Sequence, residues 1–441
     1  MNYVATPFWI DGECVFGPTE SYASVDREHP RRAAARAEAL RAQWTLCRDM
    51  GFNTVRAVGI SDLAYDSTDV WILGKSAWGN DTLVRLDPPN MERYLQGLAG
   101  LFNAARSAGM RIIPLIQLRV GNTNTEHHFA RVADRFVNDT VVMAYDLFNE
   151  PLYFDPPERP KSEVHRILVR WRELFDDHAP HHLYTLGLTG IRETFEFDPN
   201  MLQVDFVSFH PYEYEPDQVR NELYWYHGNV RVPWMIGETA LPADGDSVSY
   251  ADQTEFTRKT LVQSRACGGL GYSWWQFQDV EWGTFHQDHM GVLSREGTTR
   301  TSDGHIVAGR VKPMARMIQE FDPNTDAGPC ICPPNHGNYS DGRVSGLTGE
   351  LRDDQGAPIV NGTIIAWNEG WSSSYHTTSD SAGRFALRAP EWVHHWMCSA
   401  TGHGMRRGEC DPNGARTLPG DSIPSFQLGR IELERLPFFR R

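Results

Sequence analysis

Two glutamates sit where carboxyl groups could do chemistry. Glu150 closes the run V-V-M-A-Y-D-L-F-N-E-P at 141–151, and Glu238 closes M-I-G-E at 235–238. Each ends an apolar stretch too short for a helix, the pattern of a buried parallel strand whose C-terminal end opens into a loop. Two carboxyl groups facing one another are the minimum equipment for cleaving a glycosidic bond. One must be protonated to donate to the leaving oxygen, and the other ionised to attack. Gly237 leaves space beside Glu238. Taken alone, Asn149 and Glu150 fit better as a turn cap before Pro151 than as a site.

Positioning such a pair requires strands that end together. Apolar runs at 1–10, 52–58, 111–118, 141–151, 183–188, 204–209, 234–237 and 271–277 read as strands. Helices are predicted at 30–50, 91–108, 126–138, 162–178, 253–267 and 314–321. In the first of these, Ala33, Ala37, Leu40, Trp44 and Cys47 recur at spacings of three and four. Strands alternating with helices favour α/β architecture as an eight-stranded TIM barrel over an open doubly wound sheet. No glycine-rich phosphate fingerprint follows the first strand, which argues against dinucleotide binding. Strands four and seven lie across such a barrel from each other, so Glu150 and Glu238 would meet over its centre.

After this unit, at 1–322, a Pro- and Gly-containing linker is read at 323–338. A small all-β sandwich follows at 339–441, with short alternating runs at 343–351, 363–367, 375–378, 384–387, 396–400 and 426–436.

The 441 residues carry a formal charge of -15, which disfavours sequence-independent nucleic-acid binding and leaves neutral partners open. Fourteen Trp and fifteen Tyr supply flat faces for sugars or for a core. Seven cysteines suggest neither a disulfide framework nor a zinc site, although Cys398 and Cys410 could bridge neighbouring strands. No run is apolar enough to span a bilayer and no leader peptide is evident; an extracytoplasmic location is favoured, with the export sequence outside this chain.

The segments G-F-N-T-V-R, D-L-F-N-E-P, S-F-H-P-Y, I-G-E and W-W-Q-F-Q-D, in that order, together resemble clan A glycoside hydrolases, nearest to family 5 and its cellulase- and mannanase-like members. The resemblance covers about residues 1–321 and implies a retaining mechanism without a cofactor. It makes Glu150 the acid/base and Glu238 the nucleophile. Arg56 and Tyr212 would then hold Glu238 as a carboxylate, Asn149 would bond the sugar 2-hydroxyl, His210 would line the same subsite, and Trp275 rather than Trp274 would lie under the reacting ring. Singly, Arg56 also reads as a surface residue, His210 as a core histidine, and Tyr212 and Trp275 as core aromatics.

Where some relatives carry a histidine after strand three, this chain reads L-I-Q-L-R, leaving Gln117 or Arg119 as substitutes. Trp71, Trp78, Tyr224 and Trp225 are expected in loops near the mouth, stacking on sugars or pinning loops. His127–His128, His394–His395 and His286 with Asp288 and His289 lack zinc-site spacing and read as surface or loop residues, so no metal is expected. About residues 340–437 resemble the carboxypeptidase regulatory-like β-sandwich, usually a structural or adhesive appendage. There Trp367, Trp371 and Trp392 are candidates for a sugar-binding face or for packing. The substrate expected is a β-linked poly- or oligosaccharide. A silent sugar-binding protein on the same barrel and a transglycosylase are the alternatives. Oligomeric state is not legible.

Overall fold

Short apolar runs become parallel strands when the segments between them are long enough to return the chain to the same edge, usually as helices. The computed structural model describes the chain apart from residues 26–32, 66–68, 155–157, 213–215, 335, 338, 340–343, 371–372, 412–413, 418–422 and 437–441. The expected helix start at 30, parts of the linker, the ends of the predicted sandwich and Trp371 lie outside the described residues.

The first elements are β1 (Asn2–Ile10), β2 (Glu13–Pro18), α1 (Ala33–Asp49), β3 (Thr54–Val58), β4 (Leu63–Tyr65), β5 (Val70–Ser76) and β6 (Asp81–Arg85). There follow α2 (Pro88–Ser107), β7 (Arg111–Pro114), α3 (Thr123–Phe136), β8 (Ala144–Asn149), α4 (Pro151–Phe154), α5 (Lys161–His178) and β9 (Leu183–Leu188). Then come β10 (Val207–Phe209), α6 (Pro216–Asn229), β11 (Trp234–Ile236), α7 (Tyr250–Ala266), α8 (Phe285–Asp288), β12 (Thr298–Arg300), β13 (Ile306–Ala308) and α9 (Met314–Glu320). Local chemistry sets the helix starts: Asp87 accepts from the Asn90 N–H ahead of Pro88, and Ser249 accepts from that of Asp252.

Among the described residues of this unit, the regular ladders form the β12–β13 hairpin and two larger sheets, in a mixed α/β architecture. One runs β4-β5-β1-β3-β7, with β2 on β1 and β6 on β5; the other runs β11-β10-β9-β8. Isolated parallel bridges Ile112↔Val142 and Leu115↔Asp146 join β7 to the β8 segment. At the other side, Tyr272 bridges Ile236, and the Asn2 N–H reaches the Trp274 carbonyl at 3.1 Å. Asn2 Nδ2 adds bonds to the carbonyls of Gly237 and Trp274. The expected eighth strand at 271–277 is therefore not a regular strand. Its backbone bonds go to β11, to Thr239, to Asn2 of β1 and to residues 292 and 293, too scattered to build a ladder. The β4–β6 meander and the β1–β2 hairpin, absent from the sequence reading, are additions to the alternating pattern.

Trp44, Trp171 and Trp274 are fully buried in the main core. Ile113, Ala144 and Phe206, from β7, β8 and the residue before β10, form a separate buried group, as side chains filling the inside of a parallel ring do.

Beyond residue 344 the strands are β14 (Ser345–Asp353), β15 (Thr363–Trp367), β16 (Ser374–Thr378), β17 (Arg384–Ala389), β18 (His395–Ser399), β19 (Met405–Glu409), β20 (Arg416–Thr417) and β21 (Pro424–Leu433). They form sheets ordered β17-β14-β21-β20 and β16-β15-β18-β19 around Leu347, Leu351, Ile364, Leu387, Phe426 and Leu433. The edge strand β19 reads M-R-R-G-E and has no apolar alternation by which to announce itself. Ile365, Trp367 and Met397 belong instead to the main core, and the Trp225 indole donates to Thr363 Oγ1 at 3.0 Å. Lys161, itself buried, bonds Asp198 at 2.8 Å and the Ala400 carbonyl at 3.0 Å. Trp367 is thus buried and unavailable to a sugar-binding face, whereas Trp392 stays partly exposed against Phe426.

The cysteine expectation is corrected. Cys267 at the end of α7 is bonded to Cys330, with Cα atoms 4.5 Å apart, while Cys398 and Cys410 are free and buried. The β18–β19 register pairs Cys398 with Arg406, and Cys410 bonds back to His394, so the two thiols stand at different heights. The bridge closes a chain separation of 63 residues and straps the connecting segment to α7, where the Gln263 amide also donates to the Ile331 carbonyl. Cys330→Ser should cost about 4 kcal/mol on the chain-entropy account. A lowered thermal midpoint in the variant, matched by adding dithiothreitol to the wild type but not to the variant, is the expected calorimetric result.

Candidate active site

The ends of several parallel strands deliver their polar residues to one place. Arg56 comes from β3, Asp146 and Asn149 from β8, and Glu150 from the next residue. His210 follows β10, Tyr212 lies two residues on, and Glu238 follows β11.

Arg56 is buried, so its charge must be answered by acceptors. Its Nε donates to Asp146 Oδ2 at 2.7 Å, Nη2 to Asn149 Oδ1 at 2.7 Å, and Nη1 to Asn2 Oδ1 at 3.1 Å and to Glu238 Oε1. Burial works against this cation, but Asp146 and Glu238 outweigh it and hold the guanidinium above its ordinary value. The other Glu238 oxygen, Oε2, accepts the Tyr212 hydroxyl at 2.7 Å. Burial followed by repulsion from Glu238 and Glu150 keeps that phenol protonated, far above its usual range.

Glu150 has a different environment. Burial pushes its carboxyl up to about 7, against the opposing pull of Arg56. His210 Nδ1 lies 2.9 Å from Glu150 Oε1 and 3.7 Å from Glu238 Oε1. Burial lowers this imidazole to about 4, so it is neutral near pH 7. Glu150 adopts φ +47°, a left-handed conformation that costs a non-glycine residue. The turn is held from both sides. The Glu150 N–H donates to the Gly187 carbonyl at 2.8 Å, and buried Glu193 accepts from the N–H groups of Leu152 and, at 2.6 Å, Thr189. Burial raises Glu193 to about 8, with repulsion from Glu150 adding and those N–H bonds opposing.

Two glycines are required by close approach. A Cβ at Gly237 would lie 1.8 Å from Ser208 Oγ and 2.9 Å from His210 Nε2, and one at Gly187 would lie 2.6 Å from His210 Cε1. The space left by Gly237 is therefore taken by Ser208 and His210.

These groups floor a cleft of about 900 Å³ whose walls include Leu63, Leu73, Leu83, Tyr153, Phe154 and Trp282. Trp275 lines it too, whereas Trp274 is buried and donates to the Met290 carbonyl at 2.7 Å, as alternation requires. Gln117 accepts from the Asn149 N–H at 3.3 Å, and Arg119 lines the wall with its guanidinium on the Phe154 carbonyl. Tyr224 and Trp225 are not mouth residues: they lie on α6, Tyr224 against His336 and Trp225 against β15. Trp71 lies on β5 and exposed Trp78 in the turn after it; neither lines the cleft. A second cavity, about 840 Å³, lies beside the β-sheets, and its Asp353 is paired with Arg435.

Glu150, His210 and Glu238 bring ligand atoms within 4.8 Å of one another, a donor set able to hold a divalent cation. The guanidinium of Arg56 already occupies Glu238 Oε1, however, so a second positive charge would meet the first. His128 is not a surface residue. It is buried in α3 against Tyr94 because it shares the inward face with Phe129 and Val132. His286 is exposed and His289 approaches Asp279 at 3.9 Å.

Of the site residues expected from sequence, Asn149, Glu150, His210, Tyr212, Glu238 and Trp275 line this one cleft, and buried Arg56 is bonded to Asn149 and Glu238. Asp146, Asn2 and Glu193 were missed. A charged residue inside an otherwise apolar strand could have marked Asp146; nothing in I-R-E-T-F marks Glu193.

No protein-family model matches the sequence, and no curated protein matches it. Among solved structures, the chain is similar to GH5_18 from Streptomyces cattleya in complex with GlcNAc, at 15% identity and TM-score 0.48, covering 80% of this chain and 85% of that one. A hyperthermophilic β-glucosidase mutant is similar at 11% identity and TM-score 0.46, covering 72% of this chain and 98% of that one. A calcium-binding mutant of Bacteroides uniformis β-glucuronidase 2 is similar at 12% identity and TM-score 0.44, covering 95% of this chain; the chain spans 47% of its length. At these scores, likeness in chain path assigns neither family nor substrate.

Glu150 binds its proton more tightly folded, near 7, than at its ordinary 4.5. The stability held in the neutral carboxyl is therefore present below about pH 4.5 and lost as pH rises through about 7. Glu150→Gln removes that loss. Its unfolding free energy from urea titration should exceed the wild type's at pH 8, by about 3 kcal/mol at most, with the difference shrinking at pH 5.

Proposed function

We propose that the chain is a retaining glycoside hydrolase in which Glu150 is the acid/base and Glu238 the nucleophile. The observation that carries this reading is the close but unequal pair of carboxyls. Their nearest oxygens lie within 4.8 Å, nearer the ~5–5.5 Å of retaining pairs than the ~6.5 Å or more that admits a water between them. One accepts from Arg56 and Tyr212, and the other is pushed up to about 7.

Protonated Glu150 donates to the glycosidic oxygen while Glu238 attacks the anomeric carbon, giving a glycosyl-enzyme and a free alcohol. Glu150, now ionised, takes a proton from water as the water attacks the same carbon and releases the sugar and Glu238. Neutral His210 suits both halves: Nδ1 can accept from the acid, or donate to the carboxylate in the other tautomer. Asn149, whose Oδ1 is held by Arg56, has its amide N–H groups for the sugar 2-hydroxyl. Trp275 lies under the reacting ring.

In this reading the two sheets are one closed (β/α)8 barrel completed by residues 272–275 and Asn2, over domain 1–322, with a linker at 323–338 and a β-sandwich at 339–441. It is a barrel of the clan A, family 5 kind, with a carboxypeptidase regulatory-like sandwich that serves packing. The substrate is a carbohydrate, and no helix among the described residues is long and apolar enough to cross a membrane.

On a panel of aryl β-glycosides, Glu238→Ala should abolish turnover. Glu150→Gln should lower kcat/KM about 10²–10⁴-fold on substrates with poor leaving groups, and the wild-type profile should fall on its alkaline side near pH 7. Unchanged hydrolysis in both variants would sink the assignment.

A further inference from the structure

The cleft's polar groups lie on its floor, while its rim is apolar in a way that hydrolysis alone does not require. Leu73 is 45% exposed and Leu83 49%, and they form a cross-strand pair on β5 and β6. Two pairs along, Lys75 and Asp81 form an ion pair at 2.8 Å. Two leucines beside a salt bridge on an open strand face are an uncovered apolar spot where charge would be the ordinary choice. Phe154 is 51% exposed and Trp282 43%, and these two line the cleft together with Leu73 and Leu83. Single exposed apolar residues are normal, but a concentration on one rim marks a binding surface.

Their position relative to Glu150 is informative. Phe154 sits four residues after the acid on α4, and Arg119 ties its carbonyl to the wall opposite. The Leu73 N–H donates to the Asp62 carbonyl, and Asp62 and Leu63 line the cleft beside Arg119. The apolar rim is thus continuous with the side of the site from which Glu150 would protonate a leaving group. A further sugar there would need hydrogen-bonding partners and flat faces. Leu73 and Leu83 supply neither, so exposed flat faces are confined to Tyr153, Phe154 and Trp282 elsewhere on the cleft, and the Arg119 guanidinium is already engaged.

Resting on the hydrolase reading above, we infer that the leaving group is an aliphatic chain: the substrate is a β-glycoside of a long-chain alcohol or a comparable lipid, bound with its chain along Leu73, Leu83 and Phe154. Water adds across the C1–O bond, and the products are the free sugar and the long-chain alcohol.

Methyl, butyl, octyl and dodecyl β-glucosides, β-galactosides and β-mannosides test this, beside the matching aryl glycosides. Each fully buried methylene is worth roughly fourfold in binding, so even partial burial should raise wild-type kcat/KM at least about tenfold from methyl to octyl. The double variant Leu73→Ser/Leu83→Ser should flatten that ratio. Should the variant fail to fold, octyl and methyl thioglycosides compared as competitive inhibitors of wild-type aryl-glycoside hydrolysis read the same preference, with the octyl compound at least tenfold tighter. Alkyl glycosides cleaved at rates indifferent to chain length while aryl glycosides are turned over, or a ratio unchanged in a folded variant, overturn the inference alone. No cleavage of any glycoside overturns the hydrolase reading with it.

Discussion

A guanidinium removed from water is tolerable only when acceptors surround it, and Arg56 meets that demand with groups from several strands. Asp146 and Asn149 come from β8, Asn2 from β1 and Glu238 from the end of β11. Breaking a buried pair by removing one partner typically costs several kcal/mol, because the other charge is stranded. The same cation therefore fixes the nucleophile candidate, fixes the amide beside the acid candidate, and through Asn2 ties the first strand to residues 273 and 274. Satisfying one charge thus sets the site geometry and adds to the backbone bridges that join the two sheets.

Much of this was legible in the sequence, for an identifiable reason. Parallel strands buried on both faces read as apolar runs, and polar residues at their ends stand out. Glu150, His210 and Glu238 each follow or end such a run, and Arg56 interrupts one. What could not be read depends on contacts between distant segments. Glu193 holds the loop after Glu150 from 41 residues away, and Cys267 finds Cys330 through the docking of the connecting segment on α7. The β5–β6 rim looks like any polar hairpin until the cleft is seen beside it. The eighth strand misled because W-W-Q-F has strand composition, yet its hydrogen bonds are scattered over several neighbours.

The β-sheets after residue 344 share core residues with the first unit and engage its polar groups. Lys161 is nearly inaccessible and is satisfied only with the Ala400 carbonyl in place, and Asn200 reaches Thr401 at 2.9 Å. A tethered module would leave these groups to water. Here the sheets act as a wall of the first unit, on the side of α5 and α6 rather than at the cleft.

The left-handed backbone at Glu150 has an evolutionary side. That position favours glycine or asparagine, and its burial disfavours an ionised carboxyl. Drift under selection for stability alone would have two independent routes away from glutamate, each downhill. A lineage retaining the acid there must have been held by something other than folding, so loss of the acid, once that constraint lifts, should be among the first changes to become fixed.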